Sequence, residues 1–166
     1  MPWYEIGVSL HILAACVWVG GMVFLAIVVL PILRQPGYRS IAVPLIQAAG
    51  IRFRWVGWMA LGTLLLTGVA NLGFRGYGWT QVPDGSAWQG WFGHTLAVKL
   101  ILVAAIVVIG AVHDLVLGPR FTRLAGEQPD LPAARRLRWQ AAWIGRVVLL
   151  LSVAVVVLGV ILVRGV

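Results

Sequence analysis

Residues 95–117 read TLAVKLILVAAIVVIGAVHDLVL. The run is apolar on every side of a helix, so it has no polar face to turn towards water. About 20 mostly apolar residues span a bilayer core. Lipid offers no partner for an unpaired backbone group, so such a run must be helical. Three further stretches, 6–33, 55–74 and 141–163, have the same character. The reading is an all-α polytopic membrane protein. Connections of this length allow sequential antiparallel neighbours, so an up-down four-helix bundle forming one domain over 1–166 is expected.

Composition agrees. Hydrophobic residues make up 61% of the 166-residue chain and charged residues only 11%, against about 25% charged in a soluble domain. The mean hydropathy is +0.95. The formal net charge is +8, and its placement points away from nucleic acid. Arg34, Arg39, Arg52 and Arg54 lie between spans one and two, and Arg120, Arg123, Arg135, Arg136 and Arg138 between spans three and four. The opposite side has Arg75 and Arg164. Positive charge concentrates on cytoplasmic loops. Loops one and three are therefore expected in the cytoplasm, touching anionic lipid, with both termini on the other side of a bacterial-type inner membrane. The N-terminus lacks a basic leader and its apolar run is too long for a cleaved signal, so it reads as a retained span.

Trp55, Trp58, Trp139 and Trp143 fall at one expected membrane face, and Trp3, Trp79, Trp88 and Trp91 at or near the other. Aromatic belts of this kind mark interfaces; only Trp18 is mid-span. Residues 41–55 read either as an interfacial helix or as an extension of span two. Gly118-Pro119 is expected to stop the third helix. No internal repeat is evident.

The ionisable residues inside the spans carry the functional signal, because charge at membrane depth is costly. At about 1.5 Å per residue they sort into two layers. The non-cytoplasmic layer holds His11, Thr67, Asn71, His94 and Lys99, with Ser9 and Cys16 adjoining. The cytoplasmic layer holds His113, Asp114 and Arg146, with Arg52, Arg54 and Arg120 nearby. The layers lie roughly 20–25 Å apart, so His11 and His113 cannot share a metal; a two-histidine site would pair His11 with His94. Asp114 and Arg146 read most simply as an ion pair between spans three and four, and alternatively, with His113, as a proton or anion path. His94 reads equally as an interfacial residue, and Lys99 can snorkel to the head groups.

The run HILAACVWVGGMVF at 11–24, containing His11, Trp18, Gly20, Gly21 and Phe24, resembles the first helix of the copper-resistance D (CopD) family. Val28-Val29-Leu30-Pro31, Arg52-Phe53-Arg54, Leu64 to Gly68, Lys99-Leu100 and His113-Asp114 through Gly118-Pro119-Arg120 are similar to the same family. A wider similarity reaches HemJ-type haem-binding membrane proteins, which carry a histidine seven residues before a tryptophan, as at His11 and Trp18, and a lysine-leucine pair, as at Lys99-Leu100. The chain departs from that family at Gly118-Pro119-Arg120.

Three roles follow. The CopD resemblance implies copper binding, uptake or homeostasis. Copper(I) favours thioether and thiolate ligands, and Met22, Met59 and Cys16 are too few for a ladder; His11 with His94 suits copper(II). The HemJ resemblance implies a haem b protein in electron transfer or oxidation. There His11 would be an axial ligand, His94 or Lys99 a second ligand or Lys99 a propionate partner, Asn71 close by, and Trp18 and Phe24 would pack on the porphyrin. The third role is an accessory subunit of a larger membrane complex, docking through the aromatics of loop two. A periplasmic metal or redox protein is the expected partner of the first two. No nucleotide-binding motif supports pumped transport.

Overall fold

The computed structural model describes residues 2–118, 120 and 132–165. Among these there is no strand. The chain forms four long helices: α1, Pro2–Leu33; α2, Arg39–Phe74; α3, Gly90–Leu117; and α4, Pro132–Arg164. All four are long and apolar enough to cross a membrane. The four expected spans fall inside them. Pro119 and most of loop three lie outside the described residues.

The main departure is length. α2 runs unbroken for 36 residues, about 54 Å, well beyond a hydrocarbon core of about 30 Å. Of the two readings of 41–55, the continuous extension is the one formed. Each added residue gains a backbone hydrogen bond once a helix is nucleated. Pro44 lies in the second turn of α2 and forfeits one ladder bond, to the Ser40 carbonyl, without breaking the helix. The first connection shrinks to residues 34–38 around one 3₁₀ turn, Pro36–Tyr38. At its far end α2 stops in a Schellman motif. Gly76 adopts φ 83°, Tyr77 N–H donates to the Leu72 carbonyl at 3.1 Å, and Gly76 N–H donates to Gly73 at 3.0 Å.

Ring and side-chain contacts set the packing direction. Tyr4 meets Phe74, His11 meets Thr67 and Trp18 stacks on Phe53, so α1 and α2 are antiparallel. Two glycines permit that approach. A Cβ on Gly57 would lie 2.8 Å from the Trp18 ring, and one on Gly21 would collide with Phe53. All four helices meet at mid-height, where Leu61, Ile106 and Val148 are buried against Trp18, Met22 and Trp58. Trp18 ties α1 to α4, its Nε1–H donating to Ser152 Oγ at 2.9 Å, while Ser152 donates to the Val148 carbonyl at 2.7 Å. A buried indole needs such an acceptor.

The structure also shows a repeat that residue identities hide. α1 is regular from Pro2 to Phe24 and π-helical from Leu25 to Val29; α3 is regular from Gly90 to Val112 and π-helical from His113 to Leu117. Every boundary recurs 88 residues later (113 − 25). In both, an N–H reaches back five residues, Leu30 to the Leu25 carbonyl and Gly118 to that of His113. In the sequence a proline follows each, Pro31 and Pro119; in a regular helix the Pro31 ring would clash with the carbonyl four residues before it. Pro44 and Pro132, Trp55 and Trp143, and Gly57 and Gly145 keep the same spacing. The chain is thus two helical hairpins in tandem, the parallel-repeat plan whose axis runs along the membrane normal. His11 and Lys99 occupy the same position in the two hairpins.

Candidate functional site

His11 lies about six regular residues past the first turn of α1, facing α2. Its Nδ1 is 2.8 Å from Thr67 Oγ1. The Thr67 hydroxyl has one hydrogen, directed to the Thr63 carbonyl at 2.6 Å, with Leu64 at 3.4 Å as a lesser acceptor. With that hydrogen on Thr63, Thr67 accepts from His11 and the imidazole proton is assigned to Nδ1. The lone pair is left on Nε2, the arrangement that holds a metal-binding imidazole in its tautomer. Gly68 lets the ring lie flat against α2, with His11 Cε1 3.5 Å from the position a Cβ would take.

One turn nearer the termini, Asn71 packs against Gly7, its Oδ1 2.9 Å from where a Cβ would stand. That oxygen is buried with no hydrogen-bond partner. Lys99 is half-buried on α3, with Nζ 3.4 Å from the Cβ position of Gly159 on α4. It lies within electrostatic reach of His11 and of Arg75. Arg75 reaches across to α4, donating from Nη1 to the Leu162 carbonyl at 3.5 Å. The half of the bundle that carries the termini thus gathers an imidazole, an orphaned amide oxygen and two cations.

The second layer centres on Asp114, in the π-helical turn of α3. Its Oδ2 accepts from Trp58 Nε1–H at 2.8 Å and its Oδ1 from His113 Nδ1–H at 3.0 Å, with Arg54 Nε 3.7 Å away. The expected partner Arg146 is not there. It is exposed and lies over the Trp143 ring at 5.2 Å. The depth estimate was sound, but azimuth decides the pairing: α2 presents Arg54 and Trp58 to Asp114, whereas Arg146 points outwards. Arg54 Nη2 lies 2.6 Å from the Cβ position of Gly118, so a larger residue there would make the guanidinium shift.

A scan against family models matches residues 47–164 to copper resistance protein D. The chain belongs to the CopD family. A protein of Aquifex aeolicus (strain VF5), described as an uncharacterized protein, is 33% identical over 158 residues, covering 94% of this chain and 92% of that protein. No solved structure matches. The CopD match takes in Thr67, Asn71, Lys99 and the whole Asp114 network. His11 and Trp18 lie ahead of it, on a helix that the Aquifex relative also covers for the most part.

Within this CopD-family chain the remaining expected site residues separate. His94 is exposed, about 7.5 Å nearer the start of α3 than Lys99, outside the hydrogen-bonded group. Trp18 is committed to Ser152 and Phe53, about 10 Å deeper than His11. Phe24 is exposed. Neither lines the His11 site, which corrects the expectation that both pack on a porphyrin there. Cys16 and Met59 are exposed on helix surfaces and Met22 packs into the core, so these three do not line a common path. Among the described residues no three His, Cys, Asp or Glu side chains cluster as a metal cage. Sequence reading alone missed Trp58 and Ser152 as hydrogen-bonding partners and Arg75 as a neighbour of Lys99. The 88-residue spacing is the signal that would have aligned His11 with Lys99.

Proposed function

We propose that this CopD-family membrane protein handles copper through a site centred on His11 Nε2, in the non-cytoplasmic half of the bundle. One observation carries the reading: the Thr67 hydroxyl lies 2.8 Å from His11 Nδ1 and 2.6 Å from the Thr63 carbonyl, a pairing that supports a proton on Nδ1 and Nε2 as the ligand. Imidazole suits copper(II). The orphaned Asn71 oxygen, one turn away, is a second donor atom for a hydrated ion. The excess of arginine on loops one and three supports placing this end of the bundle on the periplasmic side of a bacterial inner membrane. A periplasmic metal carrier is the partner such a site would serve.

A second reading is favoured by one feature, the Lys99 ammonium beside His11. Haem b carries two carboxylates, and Lys99 would hold one while Nε2 served as an axial ligand. The fit is partial, because Trp18 and Phe24 do not face the site. The two readings separate in one preparation. The detergent-purified protein is examined by visible spectroscopy, oxidised and dithionite-reduced, and by copper(II) titration followed by electron paramagnetic resonance. The expected result is no Soret band, and one nitrogen-coordinated copper(II) per chain that is lost in His11→Ala. Copper stoichiometry unchanged by His11→Ala refutes the site. A Soret band with sharp reduced α and β bands replaces copper with haem.

A further inference from the structure

Among the described residues no acid is paired with the cations near His11. Lys99 Nζ sits over Gly159, and Arg75 Nη1 sits on the Leu162 carbonyl. Gly159 and Leu162 are three residues apart on α4, hence on one face, about 4.5 Å apart in height. Both cations therefore contact the last two turns of α4. Among the described residues the ion pairs are those of Asp114 with Arg54 and with His113, at the opposite end of the bundle. The acids of this half are committed elsewhere or unpaired with these cations: Asp84 binds Ser86, and Glu5 forms no ion pair. The carbonyl end of α4 supplies about half a negative charge, shared with Arg164. Arg75 is exposed, but Lys99 is half-buried, and a cation at membrane depth without a counter-charge is disfavoured; a metal ion arriving at His11 would add positive charge.

We propose that Lys99 and Arg75 form a seat for a compact anion on the Gly159–Leu162 face of α4, and that metal at His11 binds together with that anion as counter-ligand. The seat stands independently; its coupling to metal rests on the copper reading above. Repeat geometry explains its position. His11 in the first hairpin and Lys99 in the second sit at equal depth, so one half of the duplicated site presents a lone pair and the other a positive charge. The anion is a halide or oxyanion from solution, or the phosphate of a lipid head group.

The test uses the full chain in nanodiscs without metal. Thermal unfolding is compared in chloride and in gluconate at equal ionic strength. In phosphatidylcholine discs chloride should raise the melting temperature by a few degrees, as a ligand of the native state does. Lys99→Met and Arg75→Gln should lose most of that rise, while His11→Ala keeps it. Gly159→Asp places a carboxylate beside Nζ and should abolish the chloride dependence while the protein still folds. If phosphatidylglycerol alone gives the rise, and Lys99→Met removes it, the seat belongs to a lipid phosphate. Equal melting temperatures in chloride and gluconate, in both lipids, overturn the seat. In a second arm, copper(II) binding should weaken at least tenfold in gluconate, and this dependence should vanish in Lys99→Met. Copper binding that is tight but indifferent to chloride overturns the coupling. No copper binding at all overturns the copper reading and leaves the seat to the first arm.

Discussion

Thr67→Val isolates the hydrogen bond on which the His11 site depends. The substitution exchanges a hydroxyl for a methyl, keeping shape on α2 and removing the acceptor 2.8 Å from His11 Nδ1. Two quantities should change by different amounts. Side-chain hydrogen bonds within membrane bundles average about 0.6 kcal/mol and reach about 1.7; with His11 only half-buried, a stability loss near 1 kcal/mol is expected. Metal affinity depends on the tautomer as well. Without Thr67 the proton is free to sit on Nε2, closing the ligand position. Loss of such a supporting contact costs about 10–100-fold in affinity, or roughly 1.4–2.7 kcal/mol. Copper titration of the purified protein and unfolding in mixed detergent measure the two separately. Thr67→Ser keeps the hydroxyl and should restore affinity to near wild type. If Thr67→Val destabilises by the expected amount yet binds copper within about threefold of wild type, the bond is only a packing contact and the assigned tautomer plays no part in binding.

Four further outcomes are expected. Gly57→Ala drives a methyl to 2.8 Å from the Trp18 ring and should destabilise by about 1–3 kcal/mol, with a changed tryptophan emission as its optical signature. Asp114→Asn leaves Arg54 without its counter-charge and should cost about 1.5–3 kcal/mol, towards the lower end because Arg54 is 34% exposed. Arg146→Ala, which removes only an exposed cation–π contact, should cost less than about 1 kcal/mol; equal losses in these two variants would reinstate Arg146 as the ion partner. In the second loop, hydrogen bonds from the Ser86 hydroxyl and backbone N–H hold the Asp84 carboxyl below the usual carboxylate range. The turn should therefore persist through mildly acid pH and loosen only as pH falls through that depressed value. A carboxyl titration of Asp84 by NMR checks this, and Ser86→Ala should bring it back towards the ordinary range.

The α3 run at 95–117 shows how far sequence reaches. An apolar stretch of that length has one stable state in lipid, so fold class, helix number and antiparallel order were all readable from hydropathy. Relative depth follows from constant helical rise: of the layer read as His11, Thr67, Asn71, His94 and Lys99, His11 meets Thr67 while His94 stays outside the hydrogen-bonded group, and of His113, Asp114 and Arg146 the first two meet while Arg146 does not. Azimuth does not follow. In a soluble helix, polar residues mark the outward face, but here the surface is as apolar as the core. Nothing along the chain shows that Arg54 and Trp58 turn towards Asp114 while Arg146 turns away, or that Trp18 seeks Ser152 and not a cofactor. The duplication was hidden for a related reason. Apolar residues exchange freely in a bundle interior, so identity between the halves decays. The backbone-special residues, Pro31 and Pro119 behind their π-helical turns, keep the register. Sequence by itself determined that four helices cross a membrane and how deep each polar group lies, since both follow from the solvent and from helix geometry. Only tertiary structure decided which polar groups face one another, because rotation of each helix about its axis is set by side-chain packing, with glycines such as Gly57 and Gly7 admitting one partner and excluding others.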